Sequence, residues 1–154
     1  MIDLMLRVNG RDRAVEIEEG SPLLYVLRNE LGLKGAKYGC GLEQCGACYV
    51  LIDGEAQFSC STPAESLVGK EIITIEGIGT VSNPDPIQKA FAQQGAGQCG
   101  YCIPGTVIAV KALLAKNKKP KRVEILDALS SNLCRCGAHH DVVKAVEKLV
   151  SESH

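Results

Sequence analysis

The sequence predicts an α+β fold, with a β-grasp arrangement over residues 1–80 and a four-helix bundle over residues 81–154. Hairpin turns are indicated at Asn9-Gly10 and at Asp53-Gly54, and the residues around them favour strands. Beyond Asn83-Pro84 no strand pattern remains, and apolar residues recur at the spacing of amphipathic helices. The segment GTVSNPDP, rich in turn-forming residues, is the predicted linker between the two halves.

The first half is predicted to consist of two hairpins crossed by one helix. Ser21 is the predicted N-cap of this helix, and Pro22 its first helical residue. An apolar stripe with a spacing of four residues begins at Leu23, and Gly32 ends the helix. The predicted strands of this half are IDLMLRV, RDRAVEI, YVLID and EIITIEG.

The second half is predicted to form four short helices, which pack their apolar faces together in a bundle. The lysine-rich stretch KNKKPKR between the second and third of them is interpreted as a solvated loop. The apolar positions of the four helices, in chain order, are Ile87, Ala90 and Phe91; Val107, Val110 and Leu114; Ile125, Leu126 and Leu129; and Val142, Val146, Leu149 and Val150.

The charge balance and the apolar runs limit the classes of partner. Lys and Arg together number 17 and Asp and Glu 18, so no attraction to nucleic acid or to an anionic membrane is indicated. No apolar run approaches the roughly 20 residues of a membrane helix, and the segment MIDLMLRVNG lacks the pattern of an export signal. We therefore expect a cytoplasmic protein with no nucleic-acid partner and no membrane span of its own, associated with a membrane only through partner subunits.

Four of the eight cysteines follow a spacing that is specific for one cofactor. Cys40, Cys45 and Cys48 read C-x4-C-x2-C, and Cys60 follows, as in plant-type [2Fe–2S] proteins. The intervening residues are small where the backbone must wrap closely and direct N–H groups at sulfur. Structural zinc usually takes two separate cysteine pairs and fits this loop poorly. The spacing therefore predicts an electron-transfer cluster.

The other four cysteines form two pairs, C-x2-C at Cys99 and Cys102, and C-x-C at Cys134 and Cys136. Two separated pairs are also common in structural zinc sites, so zinc remains an alternative for this quartet. The first pair stands just before a helix predicted to start near residue 105, and the second pair just before one predicted to start near residue 141. Two helix N-termini would offer free N–H groups to an anionic cluster, which favours iron and sulfur.

The strings CGLEQCGAC, QCGYCIPG and LCRCG, in this order, resemble the iron–sulfur subunit of the xanthine dehydrogenase family of molybdenum hydroxylases. The resemblance implies a plant-type ferredoxin domain followed by a helical domain, with one [2Fe–2S] cluster in each. It implies a separate large subunit that binds molybdopterin and hydroxylates an N-heteroaromatic compound or an aldehyde. The chain would carry electrons from molybdenum to flavin, a cytochrome or another acceptor.

The same resemblance implies two cofactor-facing residues. Gln98 would approach the pterin, and Cys136 would ligate iron beside it.

Two places depart from the family pattern. Glu43 stands where the first loop often has glycine, and residues 137–140 replace a common Thr-Gly-Tyr. Since eight thiolates saturate two clusters, His139 and His140 are left out of the predicted site.

Rival interpretations are a stand-alone ferredoxin and a zinc-stabilised interaction module. The chain shows no nucleotide fingerprint, serine-nucleophile elbow or HExxH motif, so we expect no catalysis by this chain alone. Arg135, between two cysteines, offsets cluster charge, contacts the partner subunit or is simply exposed. An interface with the large subunit is expected near Tyr101, Ile103 and Pro104, with core packing the alternative for Ile103.

Overall fold

The computed structural model describes residues 1–153, and this range contains a mixed sheet and, after it, a group of four helices, as predicted. The five strands are β1 (Ile2–Val8), β2 (Arg11–Ile17), β3 (Tyr49–Ile52), β4 (Glu55–Phe58) and β5 (Glu71–Ile73). In the sheet their order is β2-β1-β5-β3-β4, with β5 parallel to β1 and the other pairs antiparallel. The helix Ile103–Lys116 of the second half packs against β3 and β4.

Both predicted hairpins form. Their turn residues take the left-handed backbone conformation, with φ of 52° at Asn9 and 75° at Gly10, and 49° at Asp53 and 84° at Gly54. Two consecutive positive φ values match the twist of the flanking strands, and Asn, Asp and Gly adopt them at the lowest cost. The hairpin signals therefore set the register of β1 with β2 and of β3 with β4.

The prediction that Ser21 caps the first helix is wrong. The helix α1 (Leu23–Tyr25), continued by a π-helical turn (Val26–Glu30), has Pro22 at its N-cap in extended conformation. Ser21 instead donates its hydroxyl to the carbonyl of Glu18 at 2.6 Å. Pro22 pairs with Pro63 as an isolated β-bridge, and this long-range contact keeps the backbone extended where local sequence favours a helix.

The last predicted strand is shorter than its apolar pattern suggests. The strand β5 ends at Ile73, and Ile75–Gly77 forms a 3₁₀ turn. The side chain of Asn9 accepts the N–H of Thr74 at 2.9 Å and donates to its hydroxyl at 3.0 Å. This side chain takes the place of a strand partner and turns the chain out of the sheet towards the helical half.

The four helices of the second half enclose their own apolar core. An Asp85 capping box starts the first of them, and Gly95, with φ 64°, ends it. Leu126 is predicted to face the core, but its side chain is exposed on the third helix, which has only two turns. Within residues 1–153, no helix is both long and apolar enough to span a bilayer. The helices are α2 (Pro86–Gln94), α3 (Ile103–Lys116), α4 (Arg122–Ala128) and α5 (His139–Glu152).

The helix α3 joins the two halves. Ile108 and Ala112 pack against Leu51 of β3 in a small core of their own. At the start of the same helix, Gly105 lies so close to the first cysteine loop that an added Cβ would stand 2.0 Å from the carbonyl oxygen of Gly46. The two halves are thus in direct backbone contact, and the domain boundary near residue 80 stays a prediction.

Replacing Gly105 with alanine should therefore push the two halves apart. Overpacking of this kind costs about 1–3 kcal/mol of the free energy of unfolding. Gly95→Ala is the control, because nothing lies within 4 Å of an added Cβ there and only the positive φ opposes it. Thermal unfolding followed by circular dichroism should show the larger loss for Gly105→Ala. Because alanine is otherwise favoured over glycine in a helix by about 1 kcal/mol, a gain in stability for Gly105→Ala would contradict the contact.

Candidate functional site

The first cysteine loop, residues 40–48, directs backbone N–H groups at its own sulfur atoms. The Sγ of Cys40 accepts the N–H groups of Leu42 and Gln44, each at 3.3 Å. The Sγ of Cys45 accepts the N–H of Cys40 at 3.3 Å. Such donors stabilise negative charge on thiolates, which is the requirement of an anionic cluster. Cys48, at the end of this loop, is buried.

Glu43 adopts the conformation that a glycine would have in this loop. Its φ is 57°, in the left-handed region, and this turn brings the N–H groups on either side of it to the sulfur of Cys40. The Glu43 carboxylate accepts a hydrogen bond from the hydroxyl of Ser61, next to the buried Cys60. The departure from glycine thus adds a brace between the first three cysteines and the fourth.

The second quartet is assembled by the starts of two helices. Cys102 is the N-cap residue of α3, and its side chain lines one cleft together with those of Cys99 and Cys134. The Sγ of Cys134 accepts the N–H of Ala138, the N-cap residue of α5, at 3.3 Å. The prediction that each cysteine pair precedes a helix is confirmed, and the two helices bring the two pairs together.

The four thiols with perturbed pKa values differ because burial and N–H donors act in opposite directions. Burial would raise the pKa of Cys40, but hydrogen bonds from backbone N–H groups outweigh it and lower the pKa from 9.0 to about 7. The same balance lowers the pKa of Cys134. Burial dominates at Cys48 and Cys102 and raises both pKa values to about 11. Thus each quartet contains one thiol that favours the thiolate and one that resists ionisation.

The two cysteine loops meet at one place. The backbone N–H of Leu133 donates to the carbonyl of Cys45 at 3.0 Å, and the Tyr101 hydroxyl donates to the carbonyl of Tyr38 at 2.6 Å. A cleft of about 140 Å³ lies between them and has walls from both quartets. The cysteines that line it are Cys45, Cys99, Cys102 and Cys134.

Gln98 and Cys136, the two predicted cofactor-facing residues, lie next to each other. The Gln98 amide donates to the carbonyl of Cys136 at 3.2 Å. Gln98 is exposed at the end of a glycine-rich turn, and Cys136 is half-buried. Tyr101 is exposed nearby, whereas Ile103 packs against the helical core, as its alternative interpretation expected.

A buried amide gives an independent indication that the loops accommodate a further polar group. Asn132 is only 6% exposed, and within residues 1–153 neither its Nδ2 nor its Oδ1 has a hydrogen-bond partner. Its Nδ2 lies 2.5 Å from where a Cβ on Gly46 would be, and Cys134 is two residues further along the chain. An unpaired buried amide costs about 1–3 kcal/mol, and cluster sulfur or bound water would satisfy it.

The residues present fit two iron–sulfur clusters. All eight cysteines are free, and their sulfurs receive N–H donors in both loops. Within residues 1–153, no three His, Cys, Asp or Glu side chains are arranged to hold a single metal ion. The structural support for a cluster is therefore the set of donors and the placement of the thiols around the cleft.

Comparison with known proteins assigns both halves. Residues 6–72 match the model of the 2Fe-2S iron-sulfur cluster binding domain, and residues 74–147 match that of the [2Fe-2S] binding domain. The nicotinate dehydrogenase of Pseudomonas putida has a subunit that is 46% identical over 94% of this chain and 92% of its own length. The alpha subunit of isoquinoline 1-oxidoreductase from Brevundimonas diminuta is 41% identical over 99% of each chain. The chain belongs to the xanthine dehydrogenase family of molybdenum hydroxylases. Within that family it is the small iron–sulfur subunit, and its cofactors are two [2Fe–2S] clusters.

Solved structures agree with this assignment. Quinoline 2-oxidoreductase from Pseudomonas putida 86 contains a chain that superposes with a TM-score of 0.93 at 34% identity, covering 99% of this chain and 94% of that one. Aldehyde oxidoreductase from Desulfovibrio gigas superposes with a TM-score of 0.92 at 38% identity. There the match covers 98% of this chain but 17% of the other, so the iron–sulfur subunit corresponds to one part of a longer polypeptide.

Sequence reasoning missed three residues of this site. Ser61 braces Glu43, Asn132 is buried between the loops, and His139 accepts the backbone N–H of Cys134 at 3.1 Å. The position of His139 five residues after Cys134 was a usable signal, but a histidine at a helix start is more often exposed without a partner.

The pKa differences predict unequal alkylation in the metal-free chain, under conditions where circular dichroism shows it to be folded. The thiolate is the reactive form, so Cys40 should react with iodoacetamide from about pH 7 upwards. Cys48 and Cys102 should stay protected to about pH 9, because their pKa values are raised to about 11. Because the Cys40 pKa is lowered on folding, its contribution to stability is lost as the pH falls through about 7.

Peptide mapping by mass spectrometry after timed alkylation measures these rates. In urea, where folding no longer perturbs them, the three cysteines should react alike with pKa values of about 8.5. Equal labelling of Cys40 and Cys48 in the folded chain at about pH 7 would show that the loop donors do not act on Cys40.

Asn132→Leu should have opposite effects on the metal-free and the cluster-loaded chain. It removes an unpaired amide at similar volume, so the metal-free chain should gain about 1 kcal/mol in free energy of unfolding. The loaded chain should lose stability, because the amide then has a partner to lose. Urea unfolding of the first form and thermal loss of visible absorption of the second measure the two effects.

The matched control is Asn117→Leu. The Asn117 amide already donates to Glu124 at 3.1 Å, so its removal should weaken both forms alike. If Asn132→Leu also changed both forms alike, the amide would have no partner in the loaded chain.

Proposed function

We propose that this chain conducts electrons from the molybdenum centre of its large subunit, first through the second quartet and then through the first. Cys99, Cys102, Cys134 and Cys136 hold the cluster that receives electrons, and Cys40, Cys45, Cys48 and Cys60 hold the cluster that passes them on. Each [2Fe–2S] cluster, when bound, supplies one-electron redox chemistry. The chain itself forms and breaks no bond of the substrate.

The single observation that carries the route is the meeting of the two loops. The Leu133 N–H to Cys45 carbonyl hydrogen bond directly links a residue beside the second quartet to a ligand residue of the first. The same cleft is lined by one cysteine of the first quartet, Cys45, and by three of the second, Cys99, Cys102 and Cys134. Electrons that enter on the helical side therefore have a short, hydrogen-bonded path to the sheet side.

The entry point is proposed at Gln98 and Cys136. Gln98 is exposed, and its amide donates a hydrogen bond to the carbonyl of Cys136. A cofactor of the large subunit that hydrogen-bonds to the Gln98 side chain would therefore lie beside Cys136, a proposed cluster ligand. Tyr101 and Pro104 border this place and are the proposed contacts with the large subunit.

The proposed substrate of the complex is an N-heteroaromatic compound or an aldehyde. This proposal rests on the relatives, which are named for nicotinate, isoquinoline, quinoline and aldehydes. Electron exit to an FAD subunit or to a cytochrome, and a cytoplasmic location, are likewise proposals. The exposed part of the first loop, around Leu42, is the face of the sheet side available to an acceptor.

Separate loss of each cluster tests the assignment of the quartets. In the purified complex, Cys45→Ala and Cys99→Ala should each remove half of the iron bound to this chain, and each should abolish a different electron paramagnetic resonance signal. Both variants should block substrate-dependent reduction of the acceptor. Leu42→Ala, an exposed change in the first loop, is the control and should keep all the iron.

Three other results would contradict the proposed function. A colourless chain containing zinc would indicate an interaction module. A coloured chain that purifies without a large polypeptide and exchanges electrons freely would be a stand-alone ferredoxin. Loss of both signals in each single variant would show that the quartets are not independent sites.

A further inference from the structure

We propose that His139 is a positioning residue for the second cluster, which shapes the Cys134 loop by accepting its backbone N–H. The inference rests on the proposed ligand role of Cys134. It concerns a residue that a thiolate count leaves out of the site, since the four cysteines already complete the ligand set.

The carbonyl, the sulfur and the backbone N–H of Cys134 are all hydrogen-bonded. The carbonyl of Cys134 accepts the N–H of Gly137 at 3.3 Å, its sulfur accepts the N–H of Ala138 at 3.3 Å, and its own N–H donates to Nε2 of His139 at 3.1 Å. Three successive residues therefore engage the three polar groups of one ligand. Gly137, with φ 75°, permits the turn that brings them there.

The His139 side chain extends from the first turn of α5 back to the loop that precedes the helix. The N-cap residue of α5, Ala138, has no side chain able to cap, and no capping bond is present at this end of the helix. His139 is the first residue of α5, and its side chain folds back to Cys134 and lines a cavity shared with Cys102 and Cys134. The helix start and the ligand loop are thereby fixed to each other.

This contact decides which N–H groups reach sulfur. Nε2 of His139 accepts the Cys134 N–H, while the loop holds the Ala138 N–H on Sγ. Hydrogen bonds to cluster sulfur stabilise the more negative, reduced form and so raise the reduction potential. Without His139 the loop can open, and the Ala138 donor is lost.

Three variants of the purified complex test the role. His139→Leu should lower the midpoint potential of the second cluster, with its reduction disfavoured on the order of tenfold, which for one electron is about 59 mV. His139→Gln should restore the wild-type potential, since Gln carries a carbonyl acceptor at a similar reach. His140→Leu, at the neighbouring exposed histidine, should change neither cluster.

Redox titration followed by electron paramagnetic resonance reads each cluster separately, and the first cluster is the internal reference. A second cluster lost in His139→Leu but kept in His139→Gln would also support positioning. An unchanged second-cluster signal in His139→Leu, an equal shift in His140→Leu, or failure of His139→Gln to restore the signal would overturn it. Failure of the proposed function itself is distinguishable, because the wild-type complex would then lack the second signal.

Discussion

The contact between the start of α3 and the first cysteine loop is the constraint on which the site depends. Gly105 and Gly46 meet with no room for a Cβ between them, and α3 continues from there across β3. We call this contact between Gly105 and Gly46 the joint. Both cysteine loops are attached to it, one through Gly46 itself and the other through Cys102 at the N-cap of α3. If the joint opened, the cleft between the quartets and the Leu133 to Cys45 hydrogen bond would be lost together.

The two quartets reach a similar chemical result by different means. In the first, a tight loop with Glu43 in a glycine-like conformation turns its own N–H groups onto Cys40. In the second, two helix starts bring separated cysteine pairs together, and His139 and Ala138 arrange the ligand loop. In each quartet, backbone N–H donors lower the pKa of one thiol, while burial raises the pKa of another.

Local signals in the sequence predicted the parts of the fold that local chemistry controls. Asn9-Gly10 and Asp53-Gly54 specify hairpins because few other residues accept their backbone angles. Cysteine spacing predicted the first cluster, whereas the second needed helix placement and the family resemblance to exclude zinc. The comparisons confirm the family and the cofactors. The ligand and cofactor-facing roles of individual residues remain predictions.

The features that could not be predicted depend on contacts between residues that are far apart in the sequence. Ser21 fails as a cap because Pro22 pairs with Pro63, and β5 ends early because Asn9 takes the place of a strand partner for Thr74. The burial of Asn132 follows from its contact with Gly46, far along the chain. None of these contacts leaves a periodic pattern, so only the assembled structure reveals them.

The joint at Gly46 also bears on how one design of iron–sulfur chain serves enzymes named for different substrates. Its tightest contacts are between backbone atoms, so the separation of the two loops is insensitive to the identity of surface side chains. Superpositions with TM-scores of 0.92 and 0.93 at only 38% and 34% identity are in keeping with this. The outer surface is therefore free to diverge, while the backbone that carries both cysteine loops keeps its shape.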